Sequence, residues 1–206
     1  MPARIGKVVI PGVFSLDGQD FDVENNVWLV GDDDEVLVID APHDAAPIVD
    51  AIGGRRVTAI VLTHGHNDHI TAAAALREAT GAELWFNPAD RMLWDMVYGK
   101  VHPDTAPDQE LTEGTTFDVA GTTLTALSTP GHSPGSTCLH APDLGTVFTG
   151  DTLFCGGPGA TGRSYSDHPT IVESIRTRLL TLPGDTVVRT GHGDDTTIAA
   201  EASGIA

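Results

Sequence analysis

Short apolar runs rich in β-branched residues alternate with helical patterns along the 206-residue chain. These runs predict strands over residues 7–10, 26–30, 36–39, 58–63, 84–86, 137–140, 146–149 and 186–190, with a β-meander over 115–129 that turns at Gly121. Between them, helices are predicted over 44–52, 71–80, 89–97 and 169–180, the last one capped by Ser166 or Asp167. Segments 99–107 and 155–163 are predicted loops. This alternation favours the α/β or α+β class, in one domain spanning residues 1–206.

Acidic residues dominate the charge, because 29 Asp and Glu against 11 Lys and Arg give a formal net charge of −18. A field of this sign repels phosphate groups, so we expect no binding to nucleic acid or to an anionic membrane. Hydrophobic residues make up 40% of the chain, which excludes a disordered acidic protein, and two cysteines are too few for a disulfide scaffold. No long apolar run is present near the N-terminus, so no signal peptide or membrane span is predicted and a cytoplasmic location is expected.

The segment from Thr63 to His69, Thr-His-Gly-His-Asn-Asp-His, places four candidate metal ligands within six residues. It follows a strand of the buried type and precedes a helix. In extended backbone His64 and His66 point the same way, whereas Asp68 and His69 lie where the helix starts and can turn toward a second point. Imidazole and carboxylate are ligands that divalent transition metals accept. The segment therefore predicts a metal site.

Three later strands end in a similar way, with a threonine, then a glycine, then a histidine or aspartate. The candidates are His132 after the strand at 123–128, Asp151 after the strand at 146–148, and His192 after the strand at 186–188. Taken alone, each would more often be an ordinary loop residue. Polar side chains gathered at strand ends over a rigid sheet are, however, a common way to build a site. Together with the first segment, these residues predict one shared metal site.

The complete set is seven side chains, five histidines and two aspartates. One zinc ion takes three or four ligands, so seven is too many for one ion and suits two ions that share a carboxylate. A divalent pair ~3.5–4 Å apart can hold a bridging hydroxide and polarise a carbonyl or phosphoryl group. The expected cofactor is therefore a pair of divalent ions, with zinc favoured and iron or manganese as alternatives.

These motifs resemble those of the metallo-β-lactamase-fold hydrolases, and the resemblance covers nearly the whole chain. It implies an α+β fold, an αββα sandwich of two mixed β-sheets flanked by helices, with the site at one edge of the sheets. It also implies a division of the ligands that their spacing does not reveal. One ion would be bound by His64, His66 and His132 and the other by Asp68, His69 and His192, with Asp151 bridging the two.

Within this superfamily the chain resembles a short form of the glyoxalase II-like group. The zinc β-lactamases lack a carboxylate bridge such as Asp151, and the flavodiiron branch has a glutamate in the place of His66. Only 14 residues follow His192, so we expect no helical C-terminal domain of the kind that helps long glyoxalase II enzymes bind glutathione. Segments 24–28, 151–154 and 156–167 resemble short actinobacterial homologues associated with mycothiol-linked formaldehyde detoxification. The resemblance thus implies an acyl or formyl thioester of mycothiol as a substrate.

The expected reaction is hydrolysis of a small-molecule thioester. A metal-bridging hydroxide would attack the carbonyl, Asp68 would orient it or accept its proton, and a thiolate with a pKa near ~8.5 would leave without a dedicated acid. A lactonase, which needs the same hydroxide, remains an alternative. So does a persulfide dioxygenase, which would use a single iron on a subset of these ligands. A catalytically idle metal protein is disfavoured because all seven ligand positions are filled, and the sequence indicates no oligomeric state.

Five further residues near the predicted site have two interpretations each. Arg163 and Tyr165 follow a glycine-rich loop and either contact the substrate or hold that loop in place. His168 precedes the last predicted helix, which favours a cap or surface role. Asp40 follows an early strand and could accept a hydrogen bond from a ligand histidine. His43 either lines the cleft or has a structural role.

Overall fold

Two six-stranded sheets lie at the centre of the computed structural model, which describes residues 2–99 and 105–205. The first sheet contains, in both chain order and spatial order, β1 (Arg4–Leu16), β2 (Gln19–Gly31), β3 (Glu35–Ile39), β4 (Arg56–Val61), β5 (Leu84–Phe86) and β6 (Gln109–Glu110). The β1–β2 and β2–β3 pairs are antiparallel, and the remaining pairs are parallel.

The second sheet is also mixed. Its strands are β7 (Thr116–Val119), β8 (Thr122–Ser128), β9 (Thr137–Ala141), β10 (Thr146–Gly150), β13 (Val187–Thr190) and β14 (Thr196–Thr197). Between β10 and β13 the chain forms a small separate hairpin of β11 (Leu153–Phe154) and β12 (Gly157–Pro158). Their spatial order is β14-β13-β10-β9-β8-β7, in which only the β10–β13 pair is parallel.

Helices cover the outer face of each sheet. They are α1 (Ala46–Ile52), α2 (Asn67–Ile70), α3 (Ala73–Thr80), α4 (Arg91–Tyr98), α5 (His168–Ser174), which continues as a π-helical turn over Ile175–Leu179, and α6 (Ile198–Glu201). None of the helices in the described ranges has the length and apolar character needed to cross a bilayer.

Three apolar clusters hold these layers together. Ile48 and Trp94 pack from the first helical layer onto Ile60 of the first sheet. Leu37 and Phe148 belong to the cluster that fills the space between the two sheets. The third cluster joins the second sheet to α5, α6 and the π-helical turn. The order helix, sheet, sheet, helix confirms the predicted αββα sandwich of the α+β class.

The N-terminal hairpin is much longer than predicted. The expected strands at 7–10 and 26–30 are parts of β1 and β2, which pair continuously from Arg4 with Gly31 to Leu16 with Gln19. Pro11 does not end β1 because β1 is an edge strand, where a missing N–H is tolerated. Asp17 and Gly18 form the turn with positive φ at both positions, +54° and +72°. An Asp-Gly pair favours this two-residue turn, so the hairpin had a sequence signal that the apolar pattern did not capture.

Smaller differences lie in the helical and glycine-rich segments. The helix predicted from residue 71 is preceded by α2, which begins at Asn67, and the predicted loop at 155–163 contains β12. The helix predicted over 169–180 changes to π-helical geometry at Ile175. Asp167 rather than Ser166 caps α5, since its Oδ1 accepts a hydrogen bond from Thr170 N at 2.9 Å. Most of the loop predicted at 99–107 lies outside the described residues.

Candidate metal centre

The loops after β4, β8, β10 and β13 meet at one edge of the sandwich. Two backbone bonds tie them together. Thr137 N donates to Thr63 O at 2.8 Å and joins the two sheets, and Gly191 N donates to Gly150 O at 2.8 Å within the second sheet. Gly191 must be a glycine for steric reasons, because a Cβ there would lie 2.2 Å from Asp151 Oδ1. The shared strand-end pattern therefore corresponds to four loops packed against one another.

The first group of candidate ligands is a histidine triad, His64, His66 and His132. His64 Nε2 lies 3.0 Å from His66 Nδ1, which in turn lies 2.9 Å from His132 Nε2. All three side chains are buried. His64 and His66 come from the loop after β4, and His132 comes from the loop after β8, so the triad joins the two sheets.

The second triad is Asp68, His69 and His192. Asp68 Oδ2 lies 3.3 Å from His192 Nε2 and 3.7 Å from His69 Nε2, and the two Nε2 atoms are 3.3 Å apart. Asp68 and His69 lie in α2, and the ring centres of His64 and His69 are 4.1 Å apart, so the two triads adjoin each other.

Asp151 lies between the two triads. Its Oδ2 is 3.5 Å from His132 Nε2 in the first triad and 3.4 Å from His192 Nε2 in the second. Its Oδ1 is 3.3 Å from His69 Nε2, and this buried oxygen makes no hydrogen bond within the described residues. The structure thus brings all seven predicted side chains together, with one carboxylate in contact with both groups.

The outer ring nitrogens of four histidines are tied to oxygen atoms. Three of them donate through Nδ1–H at 2.8 Å. His132 donates to Ala160 O, His192 donates to Glu24 O, and His69 donates to Asp40 Oδ2. His64 Nδ1 lies 3.1 Å from Thr63 Oγ1, whose hydroxyl donates to Asp40 Oδ2. In a neutral imidazole the other nitrogen is then unprotonated. When all four rings are neutral, their lone pairs face the centre beside a buried carboxylate oxygen that makes no hydrogen bond, an arrangement that fits bound cations.

Asp40 accepts a hydrogen bond from a candidate ligand histidine, as one interpretation of the sequence suggested. Besides accepting from His69, its Oδ1 accepts from Thr63 N at 2.7 Å. Asp40 itself has a positive φ of +65°, a conformation that directs its carboxylate back over the end of β4. It therefore holds the first residue of the ligand segment and one ligand histidine at the same time.

The two triads differ in their electrostatics. Burial lowers the pKa of His64 well below its usual range and, reinforced by His132, lowers that of His66 to about 3. Burial also opposes charge on His192 and His69, but Asp151 outweighs it. The pKa of His192 rises to about 10, and that of His69 rises well above its usual range. Near neutral pH, His69 and His192 of the second triad therefore favour their protonated forms, whereas His64 and His66 of the first triad are neutral.

Two buried residues at the site were not found by sequence reasoning. Asp90 lies at the start of α4 and accepts hydrogen bonds from both loops of the histidine triad. Asn25 lies in β2, and its amide contacts the second triad. Asn25 lies 43 residues from Asp68, and Asp90 lies 25 and 45 residues from Gly65 and Gly135, so no local motif marked either residue.

A cavity of about 1010 Å³ opens beside the two triads. Its walls include Val13, Phe14, Phe21 and Val23 of the N-terminal hairpin, and Arg163 from the glycine-rich loop. The guanidinium of Arg163 lies 4.5 Å from the ring centre of Phe21.

The other predicted residues of this loop lie away from the cavity wall. Tyr165 is 46% exposed and does not line the cavity. Ser164 N donates to Asp17 Oδ2 at 3.0 Å, which ties the loop to the turn of the hairpin. His168 is the first residue of α5, where its Nδ1 lies 3.3 Å from Thr161 Oγ1. Of the residues predicted in this segment, Arg163 alone lines the cavity.

Comparison with known proteins identifies the family. A family model described as the metallo-β-lactamase superfamily matches residues 21–192. A Haemophilus influenzae protein named hydroxyacylglutathione hydrolase GloC is 34% identical over 190 residues, which cover 86% of this chain and 90% of that protein. The chain therefore belongs to the metallo-β-lactamase superfamily, and it is a metal-dependent hydrolase of that superfamily.

Two solved structures show the same fold. One is titled BLEG-1 B3 metallo-β-lactamase, with a TM-score of 0.78 and 28% identity, and the other is TTHA1623 in a di-iron-bound form, with a TM-score of 0.75 and 32% identity. Each match covers 94% of this chain and 97% of the other. A binuclear metal site is expected for this fold, and the histidine and aspartate cluster fits it. The di-iron-bound neighbour is thus a similar structure that holds iron.

Proposed function

We propose that the chain hydrolyses thioesters of a low-molecular-weight thiol at a binuclear metal site. The observation that carries this proposal is the Asp151 carboxylate, which contacts a ligand triad on each side. His64, His66 and His132 would hold one ion, Asp68, His69 and His192 the other, and Asp151 would bridge them. Such ions supply Lewis-acid charge and an activated water when bound.

The cavity supports a thioester over an ester or amide. The hairpin wall beside the candidate ligands is largely apolar in the described chain, so it offers no buried acid to protonate a leaving group. A thiolate, with a pKa of about 8.5, leaves without such help, whereas an alkoxide or amine does not. Asp68 is buried and lines the same cavity, where it can orient the attacking water or accept its proton. The similarity to a hydroxyacylglutathione hydrolase agrees with this reaction class.

The charge around the cavity favours a thiol without carboxylate groups. Arg163 lines the wall, but its Nη1 donates to Gln19 Oε1 at 2.9 Å and its guanidinium lies over Phe21. Asp22 and Glu24, which are exposed on β2 of the same hairpin, also line the cavity. Glutathione carries two carboxylates, whereas mycothiol carries none. The resemblance to actinobacterial homologues and this charge distribution together support an acyl- or formyl-mycothiol substrate, acted on as a small molecule without nucleic acid or membrane.

A matched substrate panel tests the proposal. We expect kcat/KM for an S-acyl mycothiol to exceed that for the same acyl group on glutathione by roughly tenfold, or about 1.4 kcal/mol. A preference for the glutathione thioester would contradict the proposal that the substrate thiol carries no carboxylate groups. Hydrolysis of lactones with no activity on either thioester would favour a lactonase. Oxygen consumption with a persulfide, without thioester hydrolysis, would identify a dioxygenase.

A further inference from the structure

The Asn25 side chain lies against all three members of the second triad. Its Nδ2 is 3.1 Å from Asp68 Oδ2, 3.3 Å from His69 Nε2 and 3.4 Å from His192 Nε2. Asn25 is fully buried in β2. A buried amide can contact three ligand atoms in this way only if it lies over the triangle that they form.

The four atoms form a nearly regular tetrahedron, because its six edges run from 3.1 to 3.7 Å. The centre of a tetrahedron of this size lies about 2.0 Å from each corner, which is the bond length of zinc to nitrogen or oxygen. The amide atom of Asn25 is therefore placed where a fourth ligand would lie if Asp68, His69 and His192 held an ion at this centre.

The amide can present either of its polar atoms at this corner. A half-turn about the Cβ–Cγ bond exchanges Nδ2 and Oδ1 without moving the backbone. With Nδ2 inward, as in this structure, the amide donates to the Asp68 carboxylate. With Oδ1 inward, it offers a lone pair to a cation and turns Nδ2 outward.

His43 contacts the outer atom of the amide, with its Nε2 2.8 Å from Asn25 Oδ1. The chain places this ring by two unusual features. His43 has a left-handed backbone with φ of +47°, and a Cβ on Gly12 of β1 would lie only 2.2 Å from His43 Cγ. His43 Nε2 lies within hydrogen-bond distance of this outer atom, and the tautomer of the neutral ring with Nε2 unprotonated can accept a hydrogen bond there. A neutral His43 with Nε2 unprotonated favours the orientation with Nδ2 outward.

We propose that Asn25 binds the second metal ion through Oδ1, in addition to the conventional ligands, and that His43 orients the amide. This inference rests on the two-ion site of the proposed function. Asn25 is therefore a metal ligand, and His43 is a positioning residue that acts through it.

The test is a stepwise zinc titration of the full chain against a chromophoric chelator, which gives the affinity of each ion without any substrate. Asn25→Ala should lower the affinity for the second ion by roughly 10-fold to 100-fold and leave the affinity for the first ion unchanged. Asn25→Asp keeps an oxygen at the corner and should bind the second ion at least as tightly as the natural chain. Asn67→Ala is the matched control, because Asn67 Nδ2 bonds to Val13 O on β1 at 2.8 Å instead of facing the ions.

Asn25→Asp separates a ligand from a hydrogen-bond donor. If Asn25 only donates to Asp68, the aspartate variant cannot replace it and will lose the second ion as the alanine variant does, which would overturn the proposal. Wild-type affinity in Asn25→Ala would overturn it as well. If the alanine variant does not fold, the aspartate variant still decides between the two roles.

The role of His43 is tested in two backgrounds. His43→Ala should lower the affinity for the second ion in the natural chain. It should not do so in the Asn25→Asp variant, since a carboxylate presents an oxygen in either orientation. An equal loss in both backgrounds would overturn the orienting role. Two ions bound without thioester hydrolysis would contradict only the proposed substrate, whereas a single ion bound by the natural chain would overturn the role of Asn25 too.

Discussion

Asp90 lies outside both triads, yet it holds the two loops that carry the first one. Its Oδ2 accepts from Gly65 N at 2.8 Å and from Ser133 Oγ at 2.6 Å, and its Oδ1 accepts from Gly135 N at 2.6 Å. Gly65 separates His64 from His66, and Ser133 follows His132. At the scale of single residues, the geometry of the histidine triad thus depends on a carboxylate that is distant in the sequence.

Replacing this carboxylate by an amide should be costly. Asp90→Asn turns one buried acceptor into a donor that faces another donor, so we expect the free energy of unfolding to fall by about 1–3 kcal/mol. The affinity of the first ion should fall with it. Urea unfolding and metal titration measure the two effects. Asp95→Asn is the control on α4, where the lost partner is the exposed Arg91 and the expected change is below ~0.5 kcal/mol. Equal effects of the two variants would contradict the role of Asp90.

The pKa differences between the triads predict different proton release for the two ions. The pKa of His192 rises to about 10 and that of His69 rises well above its usual range, so both rings favour the protonated form near neutral pH. An ion at the second triad must displace these protons, whereas His64 and His66 are already neutral. The affinity of the second ion should therefore rise more steeply between pH 6 and 8. Calorimetric titration in buffers of different ionisation enthalpy counts the protons, and equal release for both ions would contradict this prediction.

At the scale of elements, the N-terminal hairpin forms one wall of the cavity and the loop after β12 closes against it. The bonds from Arg163 to Gln19 and from Ser164 to Asp17 join the two.

The strand-end motifs predicted where the candidate ligands lie, because a threonine, a glycine and a candidate ligand recur locally. The hairpin wall was not predicted, because Pro11 interrupts its apolar pattern and its edge position emerges only from the folded sheet.

Phe21 on this hairpin should contribute to binding rather than to the chemical step. Phe21→Ala removes an apolar wall and the contact of Arg163 with its ring, so KM should rise about fivefold to tenfold with kcat nearly unchanged. Steady-state kinetics with the preferred thioester measure this. Val9→Ala, on β1 but away from the cavity, should alter neither constant. A fall in kcat at constant KM would show that Phe21 takes part in the reaction itself.

At the scale of the whole molecule, the excess of acidic residues and the metal site are separate features. Of the 29 acidic residues, only Asp68 and Asp151 belong to the seven candidate ligands. The layered fold and the meeting of four loops followed from local patterns and from the family resemblance. The contacts of Asp90, Asn25 and His43 did not, because each joins segments whose proximity depends on how the sheets and loops pack.

The most direct test of the central claim measures metal content and thioester hydrolysis on the same samples of Asp151→Ala and His132→Ala. Because Asp151 contacts both triads, its loss should lower both metal binding and hydrolysis, the latter by roughly 10³-fold. His132→Ala should weaken the ion at the first triad. Asp50→Ala, exposed on α1, should leave metal content and activity unchanged. Hydrolysis that persists at the natural rate after the metal is lost would contradict a binuclear metal mechanism.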